Sequence, residues 1–246
     1  MSVAVLSRLA LVIPVFNEAI GIKETIHQVV SFVKELHPDT KVYFVDDGST
    51  DGTGALLVSN ATNECKVIVL KKNCGYGEAL RQGARSAFQD GFQYCVFLDS
   101  DLTNPLADIP GLIEPLTRFD FVKASRYIQG ASDSHVVWQR RIVSRIANTL
   151  FRFLFRTEIK DISNGFRAWR LSEFVKLPGT SQGFDSIVEE FYYAKINSLR
   201  IGESPTHLGK RNSSHRPTAA SYSLPAIMRS LKWPLKYFLR FFLRKG

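Results

Sequence analysis

Three apolar segments, each ending in a turn-rich or acidic loop that opens a helical pattern, constrain this chain more than anything else in it. Leu9-Ala-Leu-Val-Ile13 runs into Pro14-Val-Phe-Asn-Glu18, and Lys41-Val-Tyr-Phe-Val45 into Asp46-Asp-Gly-Ser-Thr-Asp-Gly-Thr53. Tyr94-Cys-Val-Phe-Leu98 runs into Asp99-Ser-Asp101. Between them, Ile22, Ile26, Val29, Val30 and Val33 share one face of an amphipathic stretch, Ile20–Leu36. A helix start is expected at Ser49 or Thr50, with Asp51 adding favourable charge to its first turn. Lys66–Leu70 reads as a further strand, Asn73–Gly77 leads into a helix through about Gln89, and Phe121–Ala124 reads as a fifth strand. Such alternation predicts an α/β fold with a mainly parallel sheet and right-handed crossovers. The loops after the strands should then lie along one edge, where α/β proteins bind ligands.

Asp99 and Asp101 stand one residue apart at the end of a buried strand, so both carboxylates can converge on one hard cation. Magnesium or manganese held this way keeps open positions for a diphosphate and makes a nucleoside diphosphate a good leaving group. Acidic pairs after strands are also common as solvated turns, and the neighbouring loops weigh against that reading. Asn73-Cys-Gly-Tyr-Gly77 has two glycines but lacks the third glycine of a dinucleotide fingerprint and follows the wrong strand. It suits a close backbone approach to a ligand, with Arg81 one turn into the helix, or a simple turn.

The chain has 246 residues, enough for one large α/β domain or a domain with a C-terminal extension. No internal repeat, low-complexity segment or apolar run long enough to span a bilayer is visible. Its first residues do not read as a signal peptide. Cys65, Cys74 and Cys95 have no metal-ligand spacing and read as reduced thiols of a cytosolic compartment. A net charge of +9, collected from Arg118 onward and above all in the last fifty residues, suits a polyanionic partner.

Pro14-Val-Phe-Asn-Glu18, Val45-Asp-Asp-Gly-Ser-Thr-Asp-Gly-Thr53, Asn73-Cys-Gly-Tyr-Gly77, Asp99-Ser-Asp101, Asp161-Ile-Ser-Asn-Gly-Phe-Arg167 and Gly183-Phe184 with Glu189 occur in this order over residues 9 to 211. Together they resemble the family-two glycosyltransferases, in particular the dolichol- and polyprenyl-phosphate mannose or glucose synthase branch. The resemblance implies the GT-A fold, with a Rossmann-like half for the nucleotide and a second half for the acceptor. It places Pro14, Phe16, Glu18, Val45 and Asp47 around the nucleoside, with Ser100 in the substrate set. Phe16 offers a stacking face, and the carboxylates can accept from ribose hydroxyls or base N–H groups. The resemblance makes Asp99 and Asp101 ligands of Mg²⁺ or Mn²⁺. Thr103 falls where the branch often has a metal-contacting Gln, and its shorter hydroxyl reaches the ion directly or through water. Arg126, Arg140, Ser144 and Arg211 fall where donor and acceptor phosphates gather, and Arg216 or His215 stands in for the basic residue of the flexible loop. Arg126, Arg140 and Ser144 are thus catalytic candidates beside Asp101, and Arg126, Arg211 and Arg216 bind substrate. Arg140 with Arg141, and Arg211, also fit a plain solvated basic surface. Arg167 suits an internal ion pair as well as substrate contact.

A sugar hydroxyl needs a base to attack, whereas a phosphate monoester, with a second pKa of about 6, is already largely dianionic at pH 7. An arginine-rich acceptor site therefore favours a lipid phosphate, although Asp185, Glu189 and Glu190 lie where a base could sit. Arg229, Lys232, Lys236, Arg240 and Arg244 fall within about 120° of a helical wheel. Ile227, Met228, Leu231, Leu235, Phe238, Leu239 and Phe242 lie opposite, with a kink or a second helix expected at Pro234. Arg141, Arg145, Arg152 and Arg156 form a similar stripe beside Leu150, Phe151, Phe153, Leu154 and Phe155. The expected division is a catalytic domain over 1–217 and a basic amphipathic segment over 218–246. Residues 141–156 and 224–246 would touch an anionic membrane from its cytoplasmic face. Either helix could instead pack on the domain with a solvated basic face. The expected partners are a nucleotide sugar and a lipid phosphate, with no nucleic acid. A hydroxyl acceptor, or a noncatalytic basic module that binds membranes or nucleic acid, are the alternatives.

Overall fold

A computed structural model describes residues 8–133, 136, 138–209 and 224–243. In chain order the elements are β1 (Leu9–Val15), α1 (Ile22–Leu36), β2 (Lys41–Asp46), α2 (Thr53–Ser59), β3 (Cys65–Val69), α3 (Tyr76–Gln89) and β4 (Tyr94–Phe97). There follow α4 (Ile109–Ile113), β5 (Phe121–Ser125), α5 (Trp138–Phe155), β6 (Arg167–Arg170), α6 (Leu171–Phe174), α7 (Ser186–Ile196), β7 (Ile201–Pro205) and α8 (Leu224–Leu243). The strands form one sheet in the order β3-β2-β1-β4-β6-β5-β7. Only β6 runs antiparallel to its neighbours, β4 and β5. The α/β fold with a mainly parallel sheet is therefore as the alternation predicts. β1 lies between β2 and β4, so the strand order reverses there and opens a crevice at the carboxyl ends of β1 and β4. Because β6 opposes both β4 and β5, β5 points the same way as β4 and delivers Ser125 and Arg126 to that same edge.

Both faces of the sheet are covered. Ile22, Ile26, Val29 and Val33 of α1, with Ile109 and Leu112 of α4, pack on one side. Ala79 and Leu80 of α3, Phe151 and Phe155 of α5, Phe191 of α7 and Trp233 of α8 pack on the other. α3 crosses the strands closely at Gly83, where an added Cβ would stand 2.4 Å from Val12 Cγ1 and 2.9 Å from Val45 Cγ2.

Three details differ from the expectations. α2 begins at Thr53 rather than Ser49 or Thr50, because Gly48 and Gly52 adopt positive φ and extend the loop. Asp51 instead accepts from the Thr53 N–H at 3.0 Å. β6 and β7 carry charged residues and a proline, so neither reads as a strand in the sequence; β6 buries Arg167 by pairing it, and β7 is an edge strand, where Pro205 is tolerated. α8 runs unbroken through Pro234. It packs on α5 and α7, with Trp233 4% exposed and its Nε1 donating to Ser181 Oγ at 3.2 Å.

Candidate active site

The loops after β1 and β2 are stitched into one platform by their short polar side chains. The Asn17 N–H donates to Ser49 Oγ at 2.9 Å, and Thr50 N–H returns a bond to Asn17 Oδ1 at 2.9 Å. Glu18 N–H reaches Thr53 Oγ1 at 2.9 Å, and Ala19 N–H reaches Asp51 Oδ2 at 3.1 Å. Asn17 holds φ +55°, a conformation Asn tolerates through local hydrogen bonding. On this platform Phe16 is 39% exposed and Glu18 half-buried, so both can meet a nucleoside. Pro14 and Val45 are buried beneath it, and Val45 packs toward Gly83. Asp47 is buried and accepts from Cys74 N–H at 2.7 Å and Gly75 N–H at 2.9 Å. Burial pushes its carboxyl up against those two donors. Asp47 thus joins the platform to the Asn73–Gly77 loop. Arg81 is not free for a ligand: it bonds Glu78 at 2.9 Å and the Ser181 carbonyl at 3.0 Å.

The acidic loop leaves β4 at the switch point. Asp99 and Asp101 are half-buried and Ser100 is buried, with its carbonyl accepting from Thr25 Oγ1 at 2.8 Å. Leu102 turns the chain with φ +50°, and Thr103 N–H then donates to Asp101 Oδ1 at 3.1 Å. The Thr103 carbonyl takes the Gly209 N–H at 2.8 Å, so the described chain reaches this loop just before Arg211. Arg211, His215 and Arg216 lie outside the described residues. Among those described, no three His, Cys, Asp or Glu side chains cluster as a closed metal cage. Two carboxylates and a hydroxyl on one loop match a hard cation that completes its shell with water and substrate phosphate, as magnesium does.

At the end of β5 the structure brings together Arg126 and Ser144, with Nη2 and Oγ 3.0 Å apart. Arg126 is clamped by Asp161 through Nε at 2.6 Å and Nη2 at 2.8 Å, both side chains being almost wholly buried. Burial alone would raise Asp161, but the Arg126 charge and its hydrogen bonds win and hold the carboxyl below its ordinary range. Arg140 is exposed one helical turn before Ser144 on α5.

Several members of this site are not apparent in the sequence. Tyr127 donates to Ser144 Oγ at 2.8 Å and lies under Arg126 and Arg145. Asn148 and Ser163 complete the cluster. Lys123 is fully buried beside Arg167, Asp161 and Glu190; burial pushes it down to about 7, and it donates to the Asn164 carbonyl. Tyr76 donates to Asp99 Oδ1 at 3.2 Å. Position in the motifs was the only available signal: Tyr127 follows Arg126, and Tyr76 lies between the two glycines of the Asn73–Gly77 loop.

The three carboxylates that could have hidden a base have other partners. Glu190 pairs with Arg167 at 2.7 and 2.6 Å, Glu189 accepts from Thr180 and Ser181, and Asp185 faces Lys232 at 3.5 Å.

A mostly parallel sheet with an acidic pair at its switch point and an arginine cluster along the same edge defines a GT-A-type α/β protein. The model of the family described as Glycosyl transferase family 2 matches residues 10–176, and the chain belongs to that family. It is 27% identical over 236 residues to polyprenol monophosphomannose synthase of Mycolicibacterium smegmatis, covering 93% of this chain and 88% of that protein. It is 25% identical over 233 residues to undecaprenyl-phosphate mannosyltransferase of Micrococcus luteus, covering 93% of this chain and 94% of the other. The crystal structure of glucosyl-3-phosphoglycerate synthase from Mycobacterium tuberculosis with Mn²⁺, UDP and phosphoglyceric acid shares the fold. Its TM-score is 0.68 at 19% identity, covering 94% of this chain and 78% of that one.

Proposed function

We propose that this protein is an inverting, metal-dependent glycosyltransferase that moves a hexose from a nucleotide sugar of the GDP-mannose or UDP-glucose type onto a polyprenyl or dolichyl phosphate. The observation that carries the acceptor is the engagement of Asp185, Glu189 and Glu190 in internal contacts beside an arginine-rich edge. An acceptor that is already anionic needs no base from them. The polyprenol- and undecaprenyl-phosphate mannosyltransferases among the relatives support the same reading.

In this account Phe16, Glu18 and Asp47 hold the nucleoside, with the backbone at Pro14, Val45 and Ser100 closing around it. A Mg²⁺ or Mn²⁺ held by Asp99 and Asp101, with Thr103 in reach directly or through water, would neutralise charge building on the leaving diphosphate. Arg126, Arg140 and Ser144 orient the acceptor phosphate, with Arg211 and Arg216 as further substrate-binding residues; guanidinium forks suit phosphate oxygens. An acceptor oxygen forms a bond to the anomeric carbon from the face opposite the diphosphate, which leaves with the electron pair of the broken bond.

Titrating GDP and UDP with and without Mn²⁺ tests the donor half. Binding of one of them should strengthen about tenfold or more with the metal. Metal-indifferent binding, or none, would favour a noncatalytic basic module.

The lipid acceptor implies a membrane surface, and two helices offer one. Trp138, Ile142, Ile146, Leu150 and Phe153 form an exposed apolar stripe on α5. On α8 the exposed Met228, Leu235 and Leu239 border Arg229, Lys232, Lys236 and Arg240, and Phe238 meets Phe153 at 6.1 Å. The basic residues of α5 are partly occupied: Arg141 and Arg145 face Asp133, Arg152 faces Glu158, and Arg156 covers Phe241. Among the described residues no helix is long and apolar enough to cross a membrane. In this reading the apolar band sinks into the headgroup layer on the cytoplasmic face, while the basic arc of the 218–246 segment attracts anionic lipid. Ile146→Glu with Phe153→Glu should cut co-sedimentation with anionic vesicles about a hundredfold and leave nucleotide binding alone. Undiminished vesicle binding would contradict the assignment of this face.

A further inference from the structure

Tyr76 is the large residue of Asn73-Cys-Gly-Tyr-Gly77, a loop otherwise built for close approach, and its hydroxyl sits at the acidic pair. A phenol has a single proton to donate, and here it is directed at Asp99 Oδ1, 3.2 Å away. Close by, the Arg167 guanidinium donates to the Gly165 carbonyl. The Arg167 fork is itself fixed by Glu190, whose Oε2 also takes Trp169 Nε1 at 3.1 Å. Hydrogen bonds therefore run from Trp169 through Glu190 and Arg167 to the Gly165 carbonyl, next to the Tyr76–Asp99 contact.

The ring is locked as firmly as the hydroxyl. It stacks on Phe184 with centroids 4.5 Å apart and planes 28° apart. Gly77 N–H donates to the Gln182 carbonyl at 2.7 Å, anchoring the same turn to the 179–185 loop. From the other side the turn meets Gly165, where a Cβ would stand 3.2 Å from both Asp99 Oδ2 and the Tyr76 hydroxyl. Any side chain at 165 would press on the pair.

We propose that Tyr76 is a positioning residue for Asp99, holding one oxygen of that carboxylate so that the acidic loop is preorganised for a divalent cation. The inference rests on the metal reading given above and adds to it a residue at the start of α3, outside the acidic loop. Donors to a metal-binding carboxylate fix its orientation, and their loss typically costs 10–100-fold in metal affinity.

The test is Tyr76→Phe in the full chain, which keeps the ring stack and removes only the hydroxyl. Mn²⁺ is titrated into wild type, Tyr76→Phe and Asp99→Asn in the presence of GDP or UDP, with free Mn²⁺ read by electron paramagnetic resonance. Wild type should bind, Asp99→Asn should not, and Tyr76→Phe should bind about tenfold more weakly with an unchanged melting temperature. Transfer assayed alongside should show a raised Mn²⁺ requirement and a kcat recovered at saturating metal, a split that a general loss of structure would not give. Equal Mn²⁺ affinity in Tyr76→Phe and wild type overturns the role of Tyr76 while leaving the metal site standing. No Mn²⁺ bound by wild type with either nucleotide overturns the site itself, and the proposal with it. Should Tyr76→Phe melt early, Phe184→Leu separates the cases: it removes the stack and keeps the hydroxyl, so an unchanged Mn²⁺ affinity in that variant supports the hydroxyl, and an equal loss overturns its special role.

Discussion

Asp101→Asn should lower sugar transfer about a thousandfold or more while the protein melts at its wild-type temperature. The substitution keeps the side chain's shape but removes the charge of one of the two carboxylates that face the crevice from the loop after β4. A hard cation then binds more weakly and stabilises the departing diphosphate less, a loss of several kcal/mol at about 1.4 kcal/mol per decade of rate. Stability should be spared because Asp101 is half-buried on a loop, and an amide oxygen can still accept the Thr103 N–H. Initial rates over a Mn²⁺ series, with circular dichroism melting alongside, decide it. Wild-type transfer by Asp101→Asn, or wild-type protein undisturbed by chelator, would remove the acidic pair from the mechanism.

The largest effect on stability is expected at Arg167. Its guanidinium is fully buried, pairs both oxygens of Glu190 and lies over the Phe97 ring. Arg167→Met removes the cation and strands a carboxylate that is 7% exposed, at a cost of about 3–5 kcal/mol. For a chain of this size that corresponds to a fall of roughly 6–20 °C in melting temperature. Arg167→Met combined with Glu190→Leu should recover most of it, because replacing both partners of a buried pair by apolar groups is often neutral. A melting temperature within a degree of wild type in the single variant would show that the pair does not hold the fold together.

What the sequence reveals about this protein follows the range of the interactions involved. β1, β2 and β4 are legible because each is a continuous apolar run, and the edge they share is legible because each run ends in turn-forming or acidic residues. Asp99 and Asp101 come from alternate positions at one strand end, so a local pattern suffices to pair them. β6 is hidden because its burial depends on Glu190, a residue on another element whose charge cancels that of Arg167. The Arg126 cluster is legible only through family resemblance, since it gathers β5, α5 and the 161–163 loop from distant parts of the chain. Tyr76 is hidden for the same reason: its partners lie at 99 and 184. Over Arg229, Lys232, Lys236 and Arg240 the basic arc of the tail is exposed as the helical wheel has it, while Arg244 lies outside the described residues; the inward face is decided by Trp233 docking against Tyr192 and Ser181. Pro234 keeps its place inside α8 because the helix is held from outside by α5 and α7, where local rules alone expect a break.

The central claim is that the sugar goes to a phosphate on a lipid without help from a protein base. Its most direct test offers polyprenyl phosphate, the matching polyprenol and a soluble glycan side by side, each with a panel of nucleotide sugars and Mn²⁺. Transfer should be confined to the phosphate and to one or two donors, be abolished by chelator, and rise with pH only through the phosphate's own ionisation near about 6. Transfer to the polyprenol or the glycan, with the lipid phosphate left unmodified, would contradict the account.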